Sequence, residues 1–348
     1  KISEDTSEKL EYVPARVFVL RTIRPNYACP CCSRQPGEEP AVKAAPLPPS
    51  LIERGIIITA SLLAHLIVSK FCDALPYYRQ ERIFARLGIE LSRTTMCNAT
   101  IAVFEKWGAP LLAEMGRQLR AGPLLQMDET RVQVLHEPGR EATQQSFMWA
   151  ARGGTPGNKQ TRAAPVILFR YDPLRSGDVA KKIIGDFTGV VQTDGYGGYG
   201  FIAKLVGMIH AGCWAHDRRK FIEAEKGATG KNTTSWASQA LDRIRGLYLV
   251  EKVAAGQGLG GAALVAYRRE HALPILVEFK AWLLMAETKV PPKSLLGKAI
   301  AYTLGEWDRL VAYLDHAELT LDNNLIENAI RPFVVGRKNW LFAASVSG

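Results

Sequence analysis

A mixed α/β fold with a long helical segment late in the chain is predicted by three observations. Between residues 124 and 194, short apolar runs rich in Val, Leu and Ile alternate with turn residues, which is strand patterning. From Cys213 to about His316 the pattern is helical almost throughout. Ahead of both, residues 59 to 115 read as helices behind a proline-rich stretch. At 348 residues and 47% hydrophobic, the chain can bury a large core and is expected to divide into two or three domains.

The elements follow in order. Residues 10 to 28 read as short strands leading into Cys29-Pro30-Cys31-Cys32. Prolines at 36, 40, 46, 48 and 49 mark a linker over 37–58. Leu75 to Gly88 reads as a helix with a glycine stop, and Ser92 caps a second helix from Arg93 to Trp107. That is the outline of a helix-turn-helix, an outline shared by packed helix pairs that never touch DNA. After Gly122-Pro123, strands are expected at Leu124–Leu135, Ser146–Ala151, Ala164–Tyr171 and Val190–Asp194, with a short helix Val179–Ile184 before the last. Three strands, a helix and a strand make a mixed sheet with a crossover. Glycine clusters at 227–230 and 256–261 break the helical segment that follows, and no internal repeat is present. In the tail, Asp322 or Asn323 is a natural N-cap, Ala329 and Ile330 continue a helix, and Pro332 is expected to stop it.

Charge and cysteine usage narrow the function. Forty-four Lys and Arg against 34 Asp and Glu leave a net charge of +10, which favours a polyanionic partner, nucleic acid first. Three of the six cysteines crowd into positions 29 to 32, unlike a secreted disulfide framework. No signal peptide opens the chain, and the most apolar run, Ile56 to Val68, is interrupted by Ser61 and His65 and is too short for a bilayer. A cytoplasmic protein without a membrane partner is expected. The chain begins at Lys1 and stops after Ser347-Gly348, which reads as a fragment cut at both ends.

Three acids carry the chemical reading. Asp128 stands inside a strand rich in Leu and Val, where an acid is costly unless paired or bound to a metal. Asp194 ends another apolar strand, immediately before Gly195-Tyr196-Gly197-Gly198. Glu327 lies on the late helix, where Asn324, Glu327, Asn328 and Arg331 share one face at helical spacing. Any one of these acids alone is accounted for by a turn or a cap. Together, beside a cation-rich tail, they can converge on one end of a sheet and hold two divalent metals. Hard oxygen ligands suit Mg²⁺ or Mn²⁺ and leave positions open for phosphate oxygens and water. Such a pair activates an attacking hydroxyl and stabilises the leaving oxygen, so the pattern predicts phosphoryl transfer on nucleic acid.

Met127-Asp128-Glu129-Thr130, Gln192-Thr193-Asp194-Gly195-Tyr196, Cys213-Trp214-Ala215-His216-Asp217-Arg218-Arg219-Lys220-Phe221 and the run from Asp322 through Glu327 to Arg337-Lys338-Asn339-Trp340 occur in that order. In that order they resemble the motifs of bacterial insertion-sequence transposases of the family numbered sixty-six, a DDE family. Leu10-Glu11-Tyr12-Val13-Pro14-Ala15-Arg16 resembles the zinc-ribbon segment ahead of that family's core. The resemblance covers nearly the whole chain. It implies a partial zinc ribbon at 1–36, the linker at 37–58, a helical DNA-binding-type region at 59–118, and an RNase H-like catalytic core at 119–348 with a helical insertion at about 222–318. It also implies that Asp128, Asp194 and Glu327 are the catalytic triad, holding two Mg²⁺ or Mn²⁺ ions per site. The implied function is metal-dependent DNA strand cleavage and strand transfer at the ends of an insertion sequence. Its partners would be element ends, target DNA, further copies of itself on DNA and accessory proteins of the same element, in the nucleoid. A nuclease or resolvase on the same fold, or a DNA-binding remnant that has lost catalysis, are the alternatives.

Around the triad, Cys213 and His216 have the spacing of half a zinc site without a second pair nearby, and His216 suits a buttress that hydrogen-bonds a carboxylate or phosphate. Arg218, Arg219 and Lys220, and in the tail Arg331, Arg337 and Lys338, are candidate phosphate contacts, against the alternative of a solvated face. Asn324 and Asn328 accompany Glu327 as accessory groups. Tyr196 and Tyr199 either stack on a splayed base or pack beside the glycine turn. Cys29 and Cys32 form an incomplete zinc half-site: tetrahedral zinc needs four ligands, and residues 1–28 hold no Cys or His. The family's ribbon has a first cysteine pair, so Zn²⁺ is expected only in a longer chain that supplies it.

Overall fold

The computed structural model describes residues 7–11, 16–28, 42–46, 48, 51, 58–155, 164–227 and 235–347. The predicted half-site, Cys29 and Cys32, lies outside them, as does the neighbouring Cys31. In the N-terminal part, β1 (Asn26–Ala28) pairs antiparallel with β2 (Val42–Ala44).

Three helices come next: α1 (Ala60–Phe71), α2 (Tyr77–Arg86) and α3 (Arg93–Val103). Thr59 caps the first, accepting from Leu62, and Ser92 caps the third, accepting from Thr95. Gly88 takes φ +77° between α2 and α3, a backbone that disfavours other residues. Leu66, Tyr77, Phe84, Leu91 and Met96 close a small core among these helices. The second helix of the pair does not stop at Trp107. It passes through a π-helical turn, Phe104–Gly108, and continues as α4 (Ala109–Leu119), which leads into the sheet.

The sheet contains β3 (Leu124–His136), β4 (Gln145–Gly153), β5 (Val166–Asp172), β6 (Gly189–Gln192) and β7 (Met208–Ala211), in the order β5-β4-β3-β6-β7. The first three are antiparallel, while β6 and β7 run parallel to β3. The crossover between β5 and β6 carries α5 (Gly177–Ile184), whose buried Val179, Ala180, Ile183 and Ile184 cover one face of the sheet. Strand alternation sends Leu125 and Met127 into that face. Gln126 and Asp128 therefore project from the opposite one.

That opposite face is covered by helices. After β7 come α6 (Trp214–Gly227), α7 (Trp236–Gly256), α8 (Gly261–His271), α9 (Leu273–Glu287), α10 (Leu295–Gly305) and α11 (Trp307–Val311). Their shared core is aromatic. Trp214 is fully buried, stacked on Phe279 and edge-on to Trp307, each at a centroid distance of 6.1 Å. Its indole N–H donates to the Leu310 carbonyl at 2.9 Å. Trp214→Ala removes the ring and leaves that carbonyl short of a donor, so a loss of about 3–5 kcal/mol is expected. Urea denaturation checks this: the midpoint falls while the slope with denaturant is unchanged.

The chain ends with α12 (Asn324–Trp340) and β8 (Ala343–Ser345). Contrary to expectation, Pro332 does not stop α12. Proline removes one helical N–H and crowds the carbonyl four residues back. Here that carbonyl belongs to Asn328, which is exposed like Pro332 itself, so water can serve it. The helix instead ends where Leu341 takes φ +67°. Ile326 and Ile330 of α12 pack on Ala150 of β4, and β8 pairs in parallel with the far end of β3. Among the described residues, no helix is long and apolar enough to cross a membrane.

Candidate active site

The parallel pairing of β3 with β6 sets Gln126 opposite Gln192. Asp128 and Asp194 each follow two residues later, Asp128 within β3 and Asp194 just past the end of β6, so the two acids lie on adjoining chain segments. Below them Gln126 donates to Gln192 at 2.8 Å, and Gln192 donates to the carbonyl of Thr320 at 2.8 Å. This buried amide pair fixes the two strands and ties them to the segment entering α12. One turn into that helix, Glu327 follows Ile326, the residue packed on Ala150, and Ala150 pairs across from Asp128. The three predicted acids are thus brought to one region by two strands and one helix.

Their electrostatics are those of a site short of positive charge. Burial, the neighbouring Glu129 and then Asp194 and Glu327 push the Asp128 carboxyl up to about 7. One oxygen of Glu327 is buried and has no hydrogen-bond partner. The nearest cations stand off: Arg219 lies 3.8 Å from Glu327 and Arg175 lies 3.8 Å from Asp194. Orphaned and raised carboxylates of this kind fit a divalent cation bound through hard oxygens.

Glu129 was not singled out from the sequence. Adjacent to Asp128, it points to the other face, where its side chain is 2% exposed. It accepts from the hydroxyl of Tyr199 at 2.6 Å and pairs with Arg175. Burial raises Glu129 above the usual carboxylate range, opposed by those two partners. Burial also works against the charge of Arg175, yet Glu129 and Asp194 outweigh it and leave the guanidinium more basic than usual. Arg175 lies over the ring of Tyr196 at 3.8 Å, and the Tyr196 hydroxyl donates to the Arg175 carbonyl at 2.5 Å. The Tyr196 backbone N–H donates to Asp194 at 3.1 Å. Glu129, Arg175, Tyr196 and Tyr199 therefore form a frame that orients Asp194. Tyr199 is fully buried in this frame and packs beside the turn, while the Tyr196 ring is already covered by Arg175. A Cβ on Gly195 would collide with the ring and hydroxyl of Tyr302, so any other residue there requires Tyr302 to move.

Helix α6 supplies the remaining wall. Cys213 is buried just before it, and its sulfur accepts the backbone N–H of Asn323 at 3.4 Å. Burial pushes the Cys213 thiol up to about 12. His216 lies with Nδ1 3.7 Å from Glu327, too far for a hydrogen bond, and that nitrogen has no other partner. Burial lowers its basicity against the pull of Glu327 and Asp194. Asp217 is fully buried and accepts from Thr303 at 2.6 Å, with burial raising it to about 7. Ligand atoms of Cys213, His216 and Glu327 all lie within 4.8 Å of one another. Among the described residues the three acids form no group that tight.

The cations divide. Arg175, Arg219 and Lys220 line a cleft of about 270 Å³ with Asp194, Tyr196 and His216. Arg218 faces a separate groove of about 450 Å³ between α6 and α7, together with Arg245 and Tyr248. Arg331 and Lys338 are exposed on α12, as are Asn324 and Asn328. Arg337 is half-buried and donates to Thr130 at 2.9 Å and to the Arg131 carbonyl, so it fastens α12 to β3. Arg337→Ala is expected to cost about 1–3 kcal/mol of stability, read from the denaturation midpoint, because the carbonyl and hydroxyl lose their donor.

Comparison with known proteins bears on this arrangement. The model of the transposase IS66 family matches residues 55–348, and that of the zinc-finger binding domain of transposase IS66 matches residues 1–33. The uncharacterized protein y4jD of Sinorhizobium fredii (strain NBRC 101917 / NGR234) is similar to the chain at 35% identity, covering 100% of this chain and 66% of its own length. The uncharacterized protein y4qI of the same organism is 32% identical, covering 100% of this chain and 62% of its own length. The chain therefore spans less than two thirds of the length of these curated relatives.

Proposed function

The chain belongs to the transposase IS66 family, and from that premise we propose that it is a metal-dependent DNA transposase with an RNase H-like core, acting at the ends of an insertion sequence. The observation that carries the reading is the placement of Asp128 in β3, Asp194 just past the neighbouring β6, and Glu327 on α12, whose Ile326 and Ile330 pack on Ala150 across from Asp128. The strand order β5-β4-β3-β6-β7, antiparallel and then parallel, supports the core assignment.

In this reading the three carboxylates would hold Mg²⁺ or Mn²⁺, which when bound lowers the barrier to attack by water or a 3′-hydroxyl and stabilises the leaving oxygen. The chain's own residues set up that chemistry. Burial and three neighbouring acids keep Asp128 short of counter-charge, so its carboxylate is poised for a cation rather than for an internal partner. Arg175 and the Tyr196 N–H hold the Asp194 carboxylate in one orientation. His216, its basicity lowered by burial, is neutral at pH 7 and adds no cation that would compete for the acids. Arg219 and Lys220 line the cleft, where they can fix a phosphate in line with the attacking oxygen. DNA in the nucleoid is the partner, and two element ends require self-association of the chain on DNA.

A labelled double-stranded element end with Mn²⁺ tests the proposal. Nicking that leaves a free 3′-hydroxyl, followed by joining of that end to a second duplex, is the expected result. Cutting without joining would mean a nuclease or resolvase, and binding without cutting a silent remnant. The cations are tested separately. Arg331→Ala with Lys338→Ala should weaken binding to DNA of any sequence and lower the slope of log affinity against log salt by about 2, measured by titration at several salt concentrations. Arg337→Ala should leave that slope unchanged.

A further inference from the structure

We propose that Cys213, His216 and Glu327 form a binding site for a borderline-soft divalent ion, Zn²⁺ or Co²⁺, distinct in its chemistry from a hard-metal site of carboxylates. The three ligand atoms lie within 4.8 Å of one another. Tetrahedral zinc with bonds of about 2.0–2.3 Å sets its donors roughly 3.5 Å apart, so closure by about 1 Å completes the set. His216 and Glu327 are 21% and 29% exposed and can make that movement by side-chain rotation. Both carry a buried atom without a hydrogen-bond partner, His216 Nδ1 and Glu327 Oε1. An unpartnered imidazole nitrogen and an unpartnered carboxylate oxygen 3.7 Å apart, beside a buried sulfur, make a set of lone-pair ligands that a cation would satisfy.

The donor set decides which cation. Sulfur and imidazole nitrogen bind Mg²⁺ poorly and Zn²⁺ or Co²⁺ well. Sulfur, nitrogen and one carboxylate oxygen give three protein ligands and leave the fourth position to water or a phosphate oxygen. Binding releases the Cys213 thiol proton to solvent as the thiolate joins the metal. Backbone N–H groups of Asn323, Ala215 and His216 already point at that sulfur and would support its negative charge. Arg219, 3.8 Å from the other oxygen of Glu327, is the cation to be displaced or tolerated. Glu327 is thereby shared: in the soft site it is drawn toward α6 and away from Asp128. That consequence rests on the function proposed above, whereas metal binding itself does not.

The test is titration of the chain with Co²⁺ under excess Mg²⁺, following the thiolate-to-cobalt absorption in the near ultraviolet. Other cysteines can contribute, so the signal is the difference between the parent and Cys213→Ser. A difference band saturating at one Co²⁺ per chain and displaced by Zn²⁺ is expected. His216→Ala and Glu327→Gln should each weaken that component at least tenfold. Circular dichroism confirms that each variant is folded. Superimposable titrations of the parent and Cys213→Ser overturn the site, and so does a parent-like midpoint in both His216→Ala and Glu327→Gln. None of these readouts depends on DNA cleavage, so a chain inactive as a transposase still decides the question.

Discussion

Glu327→Gln is expected to reduce strand cleavage by on the order of 10³-fold while DNA affinity stays within about threefold of the parent. The amide keeps the size of the side chain and its place on α12 beside Ile326, so packing on Ala150 is undisturbed. It removes the anion, and a neutral amide binds Mg²⁺ or Mn²⁺ far less well than a carboxylate. Affinity holds or rises slightly because Arg219, 3.8 Å from Glu327, is released to contact phosphate. Cleavage of a labelled element end and a binding titration on the same preparation separate the two effects. If the variant cuts as fast as an active parent, Glu327 is a structural helix residue and the triad reading fails.

Asp128→Asn should lose cleavage to a similar degree and yet yield a more stable protein in the absence of metal. The sign follows from the raised carboxyl. In the folded chain it titrates at about 7, whereas an unfolded aspartate titrates near 3.9. Below about pH 4 both states are protonated and nothing is lost. Between pH 4 and 7 the unfolded chain gives up its proton while the folded chain keeps it, so stability falls by up to about 1.4 kcal/mol per pH unit. Above 7 the deficit is constant. Asparagine carries no charge and escapes that slope, so a gain of about 2–4 kcal/mol is expected at pH 8. Thermal melts from pH 5 to 8 should show the parent and variant curves diverging as pH rises, with Mg²⁺ raising the parent and leaving the variant unmoved. Asp217, also raised to about 7, is common to both proteins and cancels in the difference. Parallel curves would show that Asp128 is not the group under strain.

Much of the architecture was legible because its signals are local. The caps at Ser92 and the glycine stop at Gly88, the apolar alternation of β3 and the short amphipathic α5 were read within a residue or a few of their positions. β7 was missed because Met208-Ile209-His210-Ala211 is only four residues long and carries a histidine. Its pairing with β6, rather than its own propensity, makes it a strand. Pro332 misled because its cost is only one lost backbone hydrogen bond and a local clash, and on the exposed stretch around Asn328 and Pro332 the rest of α12, packed on β4, carries the helix through.

Asp128 and Asp194 stand out in the sequence because charge in an apolar run is conspicuous, and Glu327 by its place on a polar helix face, but what surrounds them was not legible. Glu129 lay in plain view next to Asp128, and its partner Arg175 sits in an unremarkable turn. Nothing local says that the chain brings Arg175 between Glu129 and Asp194. Arg337 likewise counts as a free cation until the helix is laid on β3, where its guanidinium turns inward.

The helical segment between β7 and α12 has a consequence in time. Asp128 and Asp194 emerge from the ribosome together with the strands that carry them, and at about 5–20 residues per second Glu327 is translated on the order of ten seconds later. It reaches the sheet only once α6 to α11 are made and α12 can dock on Ala150. On the proposed function, a nascent chain holds two of the three acids and is expected to bind DNA through its basic surface without cutting it. On that reading competence arrives with the docking of one helix, and a chain terminated within that segment is expected to bind DNA without cutting it.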